Sequence, residues 1–310
     1  MDSSNAARVA VVGSFNMDLV FGAPRMPERG ETLSGSAFGM FIGGKGANQA
    51  VAAARAGAQV EMIGRLGSDS FGQEIATALE EERIRLRHVV RDPQEGTGVA
   101  GIVVGADGAN SIVVVPRANM KLSEADVRKA RGAIAAADVL LLQLEVPLEA
   151  SLAAAKIARQ AGVKVVLNPA PARDLPDALY AVVDVLTPNE TETRFLTGVT
   201  ATTTEGAAEA ARVLRERGVK TVLLTLGERG ALLLEEGQRP REIPTYPVEV
   251  VDTTAAGDAF CGALAVGLAE GKGMEEAARF ACAAGALACR VMGAGPSLPS
   301  RAAIEALMER

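Results

Sequence analysis

The sequence has no tryptophan, one histidine and three cysteines among 310 residues, and aromatic residues make up 3% of it. The single histidine, His88, argues against histidine-based triads and multi-histidine metal sites. It lies between apparent strand residues, where we expect a surface or sheet-edge position. Cys261, Cys282 and Cys289 form neither a disulfide framework nor a metal-ligand spacing, and Cys261 and Cys289 are expected to be small core residues. This cysteine content favours a reducing cytoplasm.

Long apolar runs and excess positive charge are also absent. The longest uncharged apolar stretch, Ala259 to Ala269, is too short to span a bilayer. The amino terminus has no long apolar region and no small-residue cleavage site, so no signal peptide is expected. A net charge of −6 argues against a surface that tracks nucleic-acid phosphates. We therefore expect no membrane or nucleic-acid partner, and any phosphate must be bound by backbone amides and a few placed charges.

Apolar residues make up 48% of the chain, which suits a large folded core. Folding could bury roughly 74% of the unfolded chain's surface. Short apolar strands alternate with helical patterns, which predicts a doubly wound, mostly parallel sheet with helices on both faces. The predicted strands are 8–13, 59–64, 139–144, 163–167, 182–186 and 221–225. The predicted helices are 45–55, 70–83, one capped by Ser123, 147–161, a short one near Asn189, 205–217, 258–269, 274–291 and one beginning at Arg301.

Two early segments do not follow this alternation. Residues 97–104 and 110–115 are strand-like and are joined by Gly-Ala-Asp-Gly, which predicts a hairpin. Residues 14–42 show no clean period and are predicted to be irregular. We interpret segments of roughly 14–44 and 96–118 as a small β lid inserted in one α/β domain spanning 1–310. An exposed lid sheet would pair with a second copy, so a homodimer is expected.

The first glycine-rich segment, 39–46, nearly matches a Walker A loop. A Walker A loop requires Ser or Thr after its lysine to bind magnesium, whereas Gly46 follows Lys45. Residues 43–48 instead open a helix, and their glycines let a ligand approach the backbone. Asn48 could bind a hydroxylated ligand. The alternative is a tight turn with Asn48 exposed to solvent.

The second glycine-rich segment, 252–258, precedes an almost wholly apolar helix. Small residues before a helix place consecutive N–H groups around one point, which suits a phosphate or an oxyanion. A carboxylate there is explained if Asp258 accepts a proton from a hydroxyl nucleophile while the amides hold the transferring phosphoryl group. The alternative is that Asp258 caps the helix.

Two further segments follow buried strands. Asn189 and Glu192 are three residues apart at a helix start and could face water-coordinated magnesium, unless Asn189 simply caps the helix. Residues 225–230 form a turn that could bind a nucleotide or only link two strands. A dinucleotide-dependent dehydrogenase is disfavoured, because Gly13 is followed by Ser14 and not by a G-x-G-x-x-G pattern.

Together these segments resemble the ribokinase (PfkB-type) family of carbohydrate kinases, in the same order and over essentially the whole chain. GGKGAN from Gly43 and AAGD from Ala255 match the two family signatures, and NPAPAR from Asn168 and TPNETE from Thr187 favour its ribose-phosphorylating members. The resemblance implies ATP-dependent phosphorylation of D-ribose at O5. A 2-deoxyribose, fructose or nucleoside kinase remains an alternative. A non-catalytic sugar or nucleotide sensor is another, against which the presence of Asp258 argues.

The resemblance also implies a role for each matching position. It makes Asp258 the base for the 5-hydroxyl and assigns the anion hole to Ala255, Ala256 and Gly257. The implied sugar contacts are Asn16, Met17, Asp18, Gly44, Lys45, Gly46, Ala47, Asn48, Glu145 and Asp258.

The implied cofactors are ATP, Mg²⁺ and an activating K⁺. Cys282 stands where relatives are expected to carry a polar adenine contact. The other implied nucleotide and magnesium positions are Asn189, Glu192, Thr225, Leu226, Gly227, Glu228, Arg229, Gly230, Gly257 and Asp258. The implied potassium ligands are the side chains of Asp252 and Ser297 and the carbonyls of Thr254, Ala288, Val291 and Gly293.

Overall fold

The structure is a computed structural model that describes residues 6–309. Residues 1–5, where the sequence predicts no signal peptide, lie outside the described residues, as does Arg310. The described strands are β1 (Arg8–Val12), β2 (Asn16–Gly22), β3 (Ala37–Gly43), β4 (Gln59–Gly67), β5 (Arg85–Asp92), β6 (Gly98–Val104), β7 (Asn110–Val115), β8 (Val139–Leu142), β9 (Lys164–Leu167), β10 (Val185–Leu186), β11 (Thr221–Thr225), β12 (Ala231–Glu235) and β13 (Arg241–Ile243).

Helices lie in half of the connections between consecutive strands, and short 3₁₀ turns lie at Arg117–Lys121 and Gly227–Arg229. The described α-helices are α1 (Lys45–Arg55), α2 (Ser70–Glu81), α3 (Glu124–Lys129), α4 (Arg131–Ala135), α5 (Leu148–Gln160), α6 (Asp177–Tyr180), α7 (Glu190–Thr197), α8 (Thr204–Glu216), α9 (Ala256–Ala269), α10 (Met274–Ala288), α11 (Ala294–Ser297) and α12 (Arg301–Met308).

The larger sheet has nine strands in the order β13-β12-β11-β10-β9-β8-β1-β4-β5. The strands from β11 to β5 run parallel, whereas β12 and β13 are antiparallel to their neighbours. Alternate residues of β1 face opposite layers. Val9 and Val11 lie in one core with α1, α9 and α10, and Ala10 and Val12 lie in another with α5 and α8. The predicted fold class is confirmed.

The position of β1 determines where a ligand would bind. Strand β1 pairs with β4 on one side and β8 on the other. The chain first extends the sheet from β1 to β4 and β5, and later extends it in the other direction from β8. Open α/β sheets bind ligands at such a switch point, beyond the carboxyl ends of the strands. The segments that follow β1 and β8 are therefore adjacent in space.

The smaller sheet has four strands in the order β3-β2-β6-β7. The predicted β6–β7 hairpin is confirmed. The irregular structure predicted for 14–42 is wrong, because this range contains β2 and most of β3, which pair antiparallel. The alternation typical of a half-buried strand is missing, since large apolar residues such as Phe21, Phe38 and Phe41 remain exposed on this sheet.

Strands β12 and β13 follow the last strand whose bounds the sequence predicted. A strand after residue 230 was predicted only through the alternative that the turn at 225–230 links two strands, and β12 is that strand. Leu232 and Leu233 are buried in opposite cores, so β12 is apolar without alternation and resembles a helix segment in sequence. His88 lies on β5, an edge strand, as predicted. Within residues 6–309, no helix has the length and apolar character needed to cross a membrane.

Candidate functional site

Strands β1 and β8 to β11 end at one edge of the large sheet, where α1 and α9 begin. Glycines allow α1 to approach this edge closely. Gly44 caps α1 with a φ of 88°, and a Cβ on Gly46 would lie 2.3 Å from the Ser14 backbone nitrogen. The first turn of α1 is thus packed directly against the segment that follows β1, as the glycine pattern at 43–46 indicates.

Glu145 lies in the segment that follows β8 and contacts both the segment that follows β1 and the start of α1. Its Oε2 accepts hydrogen bonds from the Ser14 hydroxyl and from the Lys45 backbone N–H at 2.9 Å. Burial alone would lower the pKa of the Lys45 ammonium. The carboxylates of Asp258, Glu145 and Glu192 outweigh burial and raise that pKa above its usual value. Lys45 is therefore charged and surrounded by carboxylates.

Asp18 lies close to the same group of charges. Its carboxylate occupies the space beside Gly43, where a Cβ would lie 2.1 Å from Asp18 Oδ2. Burial, followed by the negative charges of Glu145 and Asp258, raises the pKa of Asp18 to about 7. The protein therefore holds ionised Asp18 at an energetic cost, which a hydroxyl donating to the carboxylate would reduce.

Asn16 is held by Asn119, a residue that the sequence analysis missed. Asn119 Nδ2 donates to Asn16 Oδ1 at 3.0 Å, and the same side chain bonds both backbone groups of Phe15. Met17 and Ala47 are fully buried in the core. Their side chains face away from solvent, so the implied sugar contacts at Met17 and Ala47 would be made by the backbone.

Asp258 lies in the first turn of α9 and is 6% exposed. Its Oδ2 accepts a hydrogen bond from Asn48 Nδ2 at 3.0 Å, and its Oδ1 accepts one from Gln49 Nε2 at 2.9 Å. The N-cap of α9 is Ala255, so the alternative in which Asp258 caps this helix is wrong. The alternative of a solvent-exposed Asn48 is also wrong, because Asn48 is buried.

The N-terminus of α9 offers backbone donors next to Asp258. Ala255 adopts a left-handed conformation with a φ of 60°, and no side chain among the described residues caps the first turn. Gly257 is exposed, and a Cβ there would meet no described atom within 4 Å. The Ala256 N–H donates to the Thr253 carbonyl at 3.2 Å. The other N–H groups of this uncapped helix start suit an anion.

Asn189 and Glu192 form a capping box at the start of α7. The Asn189 side chain accepts from the Glu192 N–H, while Glu192 Oε2 accepts from the Asn189 N–H at 2.9 Å. Burial raises the pKa of Glu192, although the Asn189 N–H and the Lys45 charge oppose this effect. The capping alternative thus describes the local geometry. The side-chain oxygens of Asn189 and Glu192 keep further lone pairs with which they could bind a metal ion.

The turn at 225–230 links β11 to β12 and also contacts the neighbouring loop. The Thr225 N–H donates to the Pro188 carbonyl at 2.9 Å, and Arg229 Nη2 bonds Glu190 Oε1 at 2.7 Å. Leu226 is 3% exposed, so its side chain belongs to the core. Gly227 and Glu228 are exposed at the carboxyl end of β11, where a nucleotide could contact the turn.

Asp252 joins the loop before α9 to the loop before α11. Its Oδ2 accepts from the Gly293 N–H at 2.8 Å, and its Oδ1 accepts from the N–H and hydroxyl of Thr254. Burial alone would raise the pKa of Asp252, but these hydrogen bonds hold it below its usual value. Ser297 is buried and donates to the Ala294 carbonyl, whereas the Ala288 carbonyl accepts from the Val291 N–H.

The cysteines differ in burial. Cys261 is in the core as predicted, whereas Cys289 is only half-buried. Cys282 is 4% exposed, and burial raises the pKa of its thiol to about 12. The Cys282 side chain therefore belongs to the core and presents almost no surface to a ligand.

The structure brings Asp18, Lys45, Asn48, Glu145 and Asp258 into one cluster of polar groups, with Glu192 within range of the Lys45 charge. The sequence analysis missed further buried amides around this cluster. Gln49 bonds Asp258, Gln143 and Asn168 bond Gln49, and Asn119 bonds Asn16. Gln49 directly follows GGKGAN and Asn168 opens NPAPAR, so a polar residue beside a motif was the available signal for these two. The buried amides that were missed are Gln49, Asn119, Gln143 and Asn168.

Residues 6–301 match the family described as pfkB family carbohydrate kinase. A protein of Haemophilus influenzae named ribokinase is 46% identical over 94% of this chain and 95% of its own length. A Salmonella typhi protein named deoxyribokinase is 38% identical over 94% of this chain and 95% of its own length. The solved structure of Arabidopsis thaliana ribokinase complexed with ribose and ATP superposes with a TM-score of 0.91, 38% identity and coverage of 98% of this chain and 99% of that one.

Proposed function

The chain belongs to the pfkB family of carbohydrate kinases, and we propose that it phosphorylates D-ribose at O5 with ATP, giving D-ribose 5-phosphate and ADP. One observation carries this proposal. The buried carboxylate of Asp258 bonds Asn48 of the glycine-rich element and lies beside the uncapped start of α9. A hydroxyl bound there would face both a proton acceptor and an anion-binding helix start.

In the proposed reaction, Asp258 accepts the proton of the sugar 5-hydroxyl as O5 attacks the γ-phosphorus. The new O5–P bond forms while the bond from phosphorus to the bridging oxygen breaks, and its electron pair remains on ADP. The N–H groups of Ala255 and Gly257 would hold the transferring phosphoryl oxygens. The Ala256 N–H, which the resemblance also implies, donates to the Thr253 carbonyl and would have to exchange that bond for a phosphoryl oxygen. Lys45, charged and within range of Asp258, adds positive potential where negative charge accumulates.

Recognition of the sugar is assigned to the polar groups around the switch point. Asp18 and Glu145 accept hydrogen bonds from hydroxyls, whereas the side-chain amides of Asn16 and Asn48 both donate and accept. The Gly44 N–H lies at the start of the same helix. The N–H groups of Lys45 and Gly46 donate to Glu145 and to the Ser14 hydroxyl, so a sugar contact there would replace these bonds. Such a site rejects sugars that lack a hydroxyl, because its buried polar groups would be left unpaired.

The nucleotide and its magnesium are assigned to the loops after β10 and β11. Among residues 6–309, no group of three or more His, Cys, Asp or Glu could hold a metal. Oxygen donors at Asn189 and Glu192 fit an ion that keeps waters and arrives with phosphates. When bound, Mg²⁺ would neutralise phosphate charge. The turn at 225–230 would contact the nucleotide phosphates. The implied adenine contact at Cys282 would have almost no side-chain surface to use, because Cys282 is buried.

The proposed function is tested by measuring ADP release with ribose, 2-deoxyribose, fructose and a nucleoside. We expect the highest kcat/KM with ribose. The Salmonella relative named deoxyribokinase makes 2-deoxyribose the second candidate substrate. A kcat/KM for 2-deoxyribose equal to or higher than that for ribose would contradict ribose as the preferred substrate. Ribose binding without ADP release would favour a sugar sensor.

An activating potassium ion is a further part of the proposal. The deprotonated carboxylate of Asp252 lies between the loops that carry Thr254 and Gly293, next to the start of α9. The oxygen ligands implied here suit a weakly hydrated cation. Such a bound cation would stiffen the turn that precedes α9. We expect kcat to rise about 5- to 50-fold when potassium replaces sodium. Asp252→Asn should reduce that ratio towards one, whereas equal rates in the two salts would contradict this site.

We propose one α/β domain over 1–310 in which the lid, roughly 14–44 and 96–118, covers the bound sugar and excludes water. The lid also supports a homodimer. Strand β7 is an edge strand whose Ile112 and Val113 are exposed, Val113 by 70%. Phe38 is exposed on β3, the other edge strand of this sheet. An apolar sheet edge of this kind favours pairing with a second copy.

Three free thiols fit the reducing cytoplasm that we propose as the location.

The dimer is tested by sedimentation. We expect Val113→Lys to shift the protein from dimer to monomer, because it places a charge on the apolar edge strand β7. Phe195→Lys is the matched control, since Phe195 is an exposed apolar residue outside the lid. A monomeric unchanged protein, or a Val113→Lys variant that remains dimeric, would contradict the lid interface.

A further inference from the structure

A chain of buried amide side chains ends on the carboxylate of Asp258. Gln49 Nε2 donates to Asp258 Oδ1 at 2.9 Å, and Gln49 Oε1 accepts from Gln143 Nε2 at 2.6 Å. Both glutamines are 0% exposed. Neither glutamine is assigned a contact with sugar, nucleotide or cation, so the proposed reaction gives these two buried amides no role.

The orientation of the Gln49 amide is set from two sides. Asn168 Nδ2 donates to the Thr187 carbonyl at 3.0 Å, which turns Asn168 Oδ1 towards Gln49 Nε2 at 3.2 Å. On the other side, Gln143 presents its N–H to Gln49 Oε1. Reversing the Gln49 amide would place its oxygen against the Asp258 carboxylate and against Asn168 Oδ1. The network therefore holds a donor, and not an acceptor, against Asp258.

Gln143 keeps its orientation at an energetic cost. Among the described residues, its buried Oε1 has no hydrogen-bond partner. This oxygen lies against Gly13, where a Cβ would come within 2.1 Å of it. An unpaired buried acceptor is unfavourable. The opposite orientation is less favourable still, because turning the Gln143 amide around would withdraw the N–H group that Gln49 Oε1 accepts.

We propose that Gln49 is a positioning residue for proton transfer at Asp258, and that Gln143 orients the Gln49 amide. The inference rests on the proposed function, in which Asp258 accepts the O5 proton. Asn48 occupies Oδ2 and Gln49 occupies Oδ1, so the plane of the carboxylate is fixed. The remaining lone pairs are then held within reach of the sugar hydroxyl, which proton transfer requires.

The test uses methionine, which has nearly the length of glutamine but no hydrogen-bonding amide. Gln49→Met should lower the single-turnover rate at saturating ribose and ATP by about 10- to 100-fold, the loss expected for one hydrogen bond to a charged group. The Kd for ribose should stay within about twofold, since Gln49 is not assigned a sugar contact. Gln143→Met should lower the rate less, because Gln143 acts only through Gln49.

The double variant Gln49→Met/Gln143→Met separates positioning from stability. Removing both partners of a buried hydrogen bond is less destabilising than removing one, so Tm should recover towards the native value. The turnover rate should remain as low as in Gln49→Met. A rate that recovers together with Tm would show a merely structural role and overturn the proposal. Ile134→Val, a buried substitution in the other core, is the control for lost stability alone.

A cycle with Asp258→Asn distinguishes the two proposals. If Asp258 is the base and Gln49 acts through it, adding Gln49→Met to Asp258→Asn should change the rate by less than about twofold. An inactive Asp258→Asn protein together with a fully active Gln49→Met protein would overturn only the positioning role. A fully active Asp258→Asn protein would overturn the proposed base itself and, with it, a role for Gln49 through that base.

Discussion

Replacing Asp258 with asparagine should lower kcat by about 10²–10⁴-fold while ribose still binds, because the amide cannot accept the O5 proton. The substitution keeps the side chain's size at the start of α9. Isothermal titration with ribose and single-turnover phosphorylation measure binding and chemistry separately. Because most of the sugar contacts are assigned to other residues, we expect the Kd for ribose to change far less than the rate.

A matched control uses another buried aspartate. Asp126 is 7% exposed, forms the capping box of α3 and lies outside the site. Asp126→Asn should reduce stability but leave kcat near the native value. A large loss of kcat in both variants would indicate general damage to the fold, whereas near-normal turnover in Asp258→Asn would exclude this residue as the base.

Replacing Asp18 with asparagine should reduce kcat/KM for ribose by about 10²–10³-fold, because an amide presents one acceptor and two donors where the sugar hydroxyls require a carboxylate. The loss should appear mainly as a higher KM, since Asp18 is assigned to binding and not to proton transfer. Steady-state kinetics at saturating ATP measure it. An unchanged KM and kcat would remove Asp18 from the sugar site.

The same substitution should stabilise the sugar-free protein in a defined pH range. Burial, Glu145 and Asp258 raise the pKa of Asp18 from 3.8 to about 7 in the folded protein. The folded state therefore loses stability as pH rises from about 4 to 7, and the full cost, on the order of 2–4 kcal/mol, is present above 7. Asp18→Asn removes this cost.

Thermal unfolding without sugar tests this prediction. We expect the Tm of Asp18→Asn to exceed that of the native protein at pH 8 and the difference to disappear near pH 4. A difference that does not depend on pH would contradict ionisation of a buried Asp18 as its cause. Gain of stability with loss of sugar binding would identify Asp18 as a group whose burial serves recognition.

Several features followed from the sequence because their causes are local. The alternation of apolar strands and helices depends on residues close along the chain, so it predicted the α/β class. The glycines at 43–46 and the capping box of Asn189 and Glu192 are likewise set within a few residues. The hairpin of β6 and β7 followed from its short connection.

The two strands of 14–42 were missed, and β12 was predicted only as an alternative, for opposite reasons. Strands β2 and β3 lie in a sheet with exposed apolar residues, so they show no alternation. Strand β12 is buried on both faces, so it shows none either. In both cases the pairing partner, and not the local pattern, makes the strand.

By itself the sequence determined the fold class, the two glycine-rich elements and the residues that carry the family resemblance. Only the tertiary structure decided that Asp258 accepts hydrogen bonds from Asn48 and Gln49, residues 210 and 209 positions away. It also decided that Asn119 holds Asn16 and that burial raises the pKa of Asp18. The physical reason is that parallel pairing at β1 and β8 brings distant segments to one edge of the sheet, where burial and neighbouring charges set the chemistry of each group.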